Sequence, residues 1–142
     1  MKRMKHRLTS SQKKHVIMEI ASYLDRAHKD ITAAYVFGSF IAAESFSDID
    51  IGILTRSQAS SSLNFELLLE SEIGKIVHYQ TDVRLLNRAP LSFCQNVIRH
   101  GRVIFERDPN LRASFEGGIL KKYFDFSHFR RRYLHEVTNA PV

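Results

Sequence analysis

The sequence predicts an α/β (α+β) protein in which a small mixed sheet is backed by helices on one face. Three observations carry that expectation. Segments with a 3.6-residue apolar period alternate with segments of period two along the 142 residues. At least three of the period-two segments are long enough to be strands, and turn residues bound them. No repeat, low-complexity tract or Pro/Gly/Ser-rich linker divides the chain, so the layers belong to one domain. The expected organisation is a basic arm over 1–9, a single domain over 10–136 and a tail over 137–142.

The first helix follows the arm. Ser10 or Ser11 can cap it, and Val16, Ile17, Ile20, Ala21 and Leu24 form its apolar stripe. TAAYVFG reads as a strand ending at Gly38, SFIAAESF as a turn or short helix, and SDIDIGIL as a second strand. A helix is expected over 63–76, with apolar residues at Leu63, Leu67, Ile73 and Ile76. TDVRLLN, 81–87, is a third strand, and 87–90 a turn. Pro90 can open the helix LSFCQNVIRH and Gly101 can end it. RVIFER makes a short strand, and the closing text YFDFSHFRRRYL is helical, with a break expected at Gly117-Gly118.

Composition excludes several classes. No apolar run approaches the roughly 20 residues of a membrane helix, and the N-terminus MKRMKHR has no apolar segment behind its charges. The single cysteine, Cys94, cannot form an internal disulfide; it lies in an apolar stretch and suits a reducing cytoplasm. The net charge of +6 sits at the ends: 1–14 hold six basic residues and no acid, 120–142 five basic and two acidic, and the middle ten against thirteen. Such ends can attract nucleic acid or an acidic partner, but no interleaved aromatics in the N-terminal arm specify nucleic acid. The histidines lack zinc-like spacing.

The chemistry lies in 36–54. Strand alternation puts Ile49, Ile51 and Ile53 on one face of SDIDIGIL, and Asp48, Asp50 and Gly52 on the other. Two carboxylates that close repel, and a divalent cation resolves the conflict because it needs oxygen ligands. TDVRLLN repeats the pattern, so a neighbouring strand would bring Asp82 beside the pair, and three acids on an open sheet face can hold one or two Mg²⁺ for phosphoryl transfer. Gly38-Ser39 ends the preceding strand, where a close backbone approach and the Ser39 hydroxyl can receive a phosphate. Alone, the D-x-D pair reads as solvated acids on an edge strand, and Gly-Ser as a turn. The order G-S-x8-D-x-D is sharper, a chance event of order a few per thousand chains of this length.

Those residues resemble the nucleotidyltransferase superfamily of DNA polymerase beta, with FGS at 37–39, DIDI at 48–51 and TDV at 81–83. The text from TDVRLLN to RRYL is similar to antitoxins of the MntA type, whose partners are HEPN-domain toxins, and the resemblance covers about 31–135. It implies a polymerase beta-like nucleotidyltransferase fold and a Mg²⁺-dependent enzyme, with two ions, that moves AMP from ATP onto a tyrosine hydroxyl of the cognate toxin. Asp48 and Asp50 would bind metal, Asp82 would help ligate it or activate the attacking hydroxyl, and Gly38 and Ser39 would cradle the triphosphate. A binding-only antitoxin of the same fold, or transfer to RNA or a small molecule, are the other readings. Many relatives continue with Ala-Arg-Gly where this chain has Phe40-Ile41-Ala42-Ala43. No basic residue lies between Lys29 and Arg56, so a cation for the triphosphate must come from elsewhere, with Arg84 a candidate. Arg130 and His135 have the R-x4-H spacing of HEPN ribonucleases, but on a chain with this many strands they read as the polar face of a helix opposite Phe126, Phe129 and Tyr133.

Overall fold

The computed structural model describes residues 4–57 and 63–139, the side chains of 136–139 excepted. The first three residues of the expected arm and the last three of the expected tail lie outside the described residues. In chain order the elements are β1 (His6–Arg7), α1 (Ser10–Ala27), β2 (Ile31–Phe37), α2 (Ser39–Ala42), β3 (Ser45–Phe46) and β4 (Asp48–Thr55). They continue with α3 (Leu63–Val77), β5 (Gln80–Leu85), α4 (Leu91–His100), β6 (Arg102–Glu106) and α5 (Pro109–Asn139). The main sheet is mixed, ordered β5-β4-β2-β6, with β4 and β5 parallel and the other pairs antiparallel.

Helices α1 and α3 back one face, as the alternation predicts. Ile20, Leu24, Val36, Ile49, Ile51, Ile53, Leu69, Ile73 and Val83 are buried there in one apolar cluster, and each large side chain contributes about 1.5–3 kcal/mol. On the other face α4 and the start of α5 add a smaller layer, in which Phe115 and Ile119 pack against Tyr35, Leu86, Cys94 and Val97. Cys94 is fully buried, and that burial pushes its thiol pKa up. A polar chain ties α5 to the sheet: the Tyr35 hydroxyl donates to Glu116 at 2.7 Å, and Arg112 donates to both Glu116 and Glu106. Burial first, and then that carboxylate, raise the Tyr35 pKa and keep its hydroxyl a donor.

Four local features differ from the sequence expectation. The cap of α1 is Thr9 rather than Ser10 or Ser11; its side chain accepts from the Gln12 amide while the Gln12 side chain accepts from the Thr9 amide, a reciprocal box that neither serine completes. Within the expected arm, His6–Arg7 forms a strand against Ser45–Phe46, and the His6 ring meets Phe46 and Tyr79. The third strand stops at Leu85, and a 3₁₀ turn, Leu86–Arg88, follows. Finally, α5 runs unbroken through Gly117-Gly118. Two interior glycines cost about 1 kcal/mol each against alanine, and anchoring of the flanking turns by Arg112, Phe115 and Ile119 offsets that cost.

A stability prediction follows from those glycines. A Cβ added at either position meets nothing within 4 Å. Gly117→Ala and Gly118→Ala are each expected to stabilise the protein by about 0.5–1 kcal/mol, read as a rise in the urea midpoint at constant m-value.

Helix α3 is fastened to β5 by its own acids. Glu70 accepts from the Val83 amide at 2.9 Å and Glu66 from the Leu85 amide at 2.8 Å. The Thr81 hydroxyl donates to the Glu70 carbonyl. The third carboxylate therefore sits on a strand held on both sides.

Candidate active site

Register decides where the acids go. Antiparallel pairing sets Phe37 opposite Asp50, and parallel pairing sets Asp50 beside Asp82 and Asp48 beside Gln80. Adjacent strands lie roughly 4.8 Å apart and paired residues point to the same side. Asp48, Asp50 and Asp82 thus project from one face, opposite the Ile49, Ile51 and Val83 core. The α4–α5 layer leaves all three partly exposed, although Oδ1 of Asp48 is itself buried.

Gly38 is fitted to this group. Its φ of 76° and ψ of −157° lie where L side chains are strained. A Cβ there would be 3.2 Å from Cγ of Asp50 and well inside contact distance of its Oδ2. Only glycine lets the end of β2 lie against the Asp50 carboxylate. Beyond it, Ile41 and Ala42 donate to the Gly38 carbonyl and start α2, with Gly38 and Ser39 both exposed beside the acids. All five residues singled out from the sequence therefore meet at one end of the sheet.

The donor set suits a hard cation. Carboxylate oxygens are the ligands Mg²⁺ prefers, and it commonly takes one or two of them together with water and substrate phosphates. Among the described residues no three His, Cys, Asp or Glu close into a ready metal cage. An open set of acids with room for phosphate oxygens is consistent with that mode of binding.

Sequence reasoning could not place the cations. Arg84 shares the Asp82 side of β5, is exposed, and holds its guanidinium 5.8 Å from the Phe93 ring centre. Lys13 donates to the Ala43 carbonyl at the end of α2 and lies over the Phe40 ring. Lys13, Lys14 and Arg102 line a groove of about 630 Å³ with Phe40 and Ile41. Pairing of Arg102 with Val36 puts its side chain on the α1 side of the sheet, away from the acids. Of these cations only Arg84 shares the carboxylate face. No local pattern marks Lys13 or Arg102, because a long-range pairing and a helix packing bring them together.

The model of the family described as polymerase beta, nucleotidyltransferase matches residues 18–110, a span that holds Gly38 and all three aspartates. The chain belongs to the polymerase beta nucleotidyltransferase family. Its fold is that of solved toxin–antitoxin structures. It is similar to a chain in the complex of a tri-AMPylated Shewanella oneidensis HEPN toxin with MNT antitoxin, at 19% identity, TM-score 0.69, covering 89% of this chain and 98% of that one. A toxin–antitoxin complex with AMP-PNP gives 19% identity and 0.68, covering 88% and 98%. An MntA–HepT complex gives 18% and 0.65, covering 91% and 99%. No curated protein matches the chain significantly in sequence. Among the described residues, no helix of this nucleotidyltransferase is long and apolar enough to cross a membrane.

Proposed function

We propose that this nucleotidyltransferase is the cytoplasmic antitoxin of a HEPN toxin and silences it by moving AMP from ATP onto a tyrosine hydroxyl. The observation that carries the reading is the register that sets Asp82 beside Asp50, with Asp48 one pleat away and Gly38 against Asp50. Support also comes from the likeness to chains in complexes whose toxin is tri-AMPylated or that hold AMP-PNP.

In this reading Asp48, Asp50 and Asp82 hold Mg²⁺, as two ions. Bound there, Mg²⁺ supplies neutralisation of phosphate charge and orientation of the triphosphate. Gly38 and Ser39 take the triphosphate, the glycine by close approach and the serine by its hydroxyl. Asp82 accepts the proton of the incoming tyrosine hydroxyl. The tyrosine oxygen forms a bond to the α-phosphorus as the bond from that phosphorus to the bridging oxygen breaks, and pyrophosphate leaves with the electron pair. Positioning and charge stabilisation supply most of the rate.

The test is to mix the protein with ATP, Mg²⁺ and the toxin encoded beside it, then map the toxin by mass spectrometry. Added AMP on tyrosine is expected, and it should vanish when EDTA is present. A toxin that is bound and silenced but carries no AMP under any divalent metal would instead establish the binding-only reading, which the cation-free sequence Phe40–Ala43 favours.

A further inference from the structure

The seam of α5 reaches past the body of the protein. Phe115, Ile119, Lys122, Phe126, Phe129 and Tyr133 are spaced alternately by four and three residues. That is the 3.5-residue repeat of a helix that packs lengthwise on another helix. The first two seam residues are used within the chain, packed against the layer formed with α4. The last three are not: Phe126, Phe129 and Tyr133 are 58%, 68% and 56% exposed. At about 200 Å² per ring they leave roughly 350 Å² of aromatic surface open, enough for the apolar core of an interface of about 800 Å² per partner. The segment also begins beyond residue 110, where the nucleotidyltransferase family match ends.

Charge selects the occupant. Over 120–135 the helix carries Lys121, Lys122, Arg130, Arg131 and Arg132 against Asp125 alone. A second copy would set this basic segment against itself, whereas a partner with carboxylates would be attracted. Lys122 stands in the seam, and a lone lysine at such a position fixes register and partner. Exposed Leu120, Phe124 and Leu134 lie off the seam, spread around the helix rather than forming the single broad apolar face with which a helix lies on a membrane.

We propose that the outer half of α5 is the docking arm for the toxin, and that it packs along a toxin helix bearing an acidic residue opposite Lys122. This rests on the reading of the chain as a toxin's antitoxin. The helix would hold the toxin while the acids at the sheet end act on it.

The test uses the full chain with Phe126→Ser, Phe129→Ser and Tyr133→Ser combined, with Lys122→Glu, and with Phe124→Ser as an exposed control outside the seam. Circular dichroism checks that helix content is kept. Titration calorimetry against the cognate toxin is expected to show Kd raised at least 100-fold by the triple change, at least tenfold by Lys122→Glu, and less than threefold by the control. The KM for toxin should rise in step while kcat at saturating toxin stays unchanged. The inference is overturned if the triple variant binds toxin normally. It is equally overturned if the seam is what makes the wild-type protein sediment as a dimer, or if only binding to phosphatidylserine vesicles is lost. AMP transfer by the triple variant with an unchanged KM for toxin would sink the docking arm and leave the enzymatic reading intact. Seam-dependent binding with no AMP transfer by the wild type would do the reverse.

Discussion

Replacing Asp48 and Asp50 together by alanine should lower AMP transfer at least about 1,000-fold, a loss of roughly 4 kcal/mol of transition-state stabilisation. Toxin affinity should stay within about threefold, because neither side chain belongs to the proposed docking surface. The physical ground is the register: both acids leave β4 on one face beside Asp82, where like charges repel and a divalent cation would relieve them. In the proposed function they serve the phosphate chemistry. The conservative pair Asp48→Asn and Asp50→Asn keeps shape and removes charge, so it should lose activity equally and melt no lower than wild type. The checks are initial rates of AMP incorporation, calorimetric Kd and thermal melts on the same preparations. Retained transfer in the alanine protein would place the chemistry elsewhere.

Gly38→Ala should be nearly as damaging through a different route. The backbone conformation at Gly38, φ 76° and ψ −157°, costs an L residue about 1–3 kcal/mol. The new methyl group would also displace the Asp50 carboxylate. Together these predict a melting temperature lowered by roughly 5–10 °C and kcat/KM reduced at least about 100-fold, since a displacement near 1 Å at a reacting group is enough for that. Ser39→Ala should be milder, about tenfold or less, because it removes one hydroxyl and leaves the chain path intact. An alanine protein at position 38 with wild-type kcat/KM would show that the close approach to Asp50 has no role in the reaction.

Much of this arrangement was legible in the sequence because it rests on periods of two. Alternation in 48–53 and 81–85 fixed which residues faced the core, and the Gly-Ser pair marked where β2 had to end. What escaped were features set by partners far along the chain. Nothing local shows that β5 pairs parallel with β4, the one fact that brings Asp82 to Asp50. The Thr9 cap is an exception: the T-x-x-Q spacing of Thr9 and Gln12 is a local signal, and it outweighs the two serines that also carry a hydroxyl. Gly117-Gly118 reads as a break by propensity, and the packing of Phe115 and Ile119 overrides it. The exposed state of Phe126, Phe129 and Tyr133 was hidden for another reason: an apolar stripe looks the same whether its cover is in the chain or in another molecule.

The two glutamates of α3 have a consequence beyond fastening a helix. By occupying the outward amides of Val83 and Leu85, Glu66 and Glu70 leave an invading strand no donors at those positions along the margin nearest Asp82. The acidic end of the sheet is thereby shielded from fibril-like growth on that side.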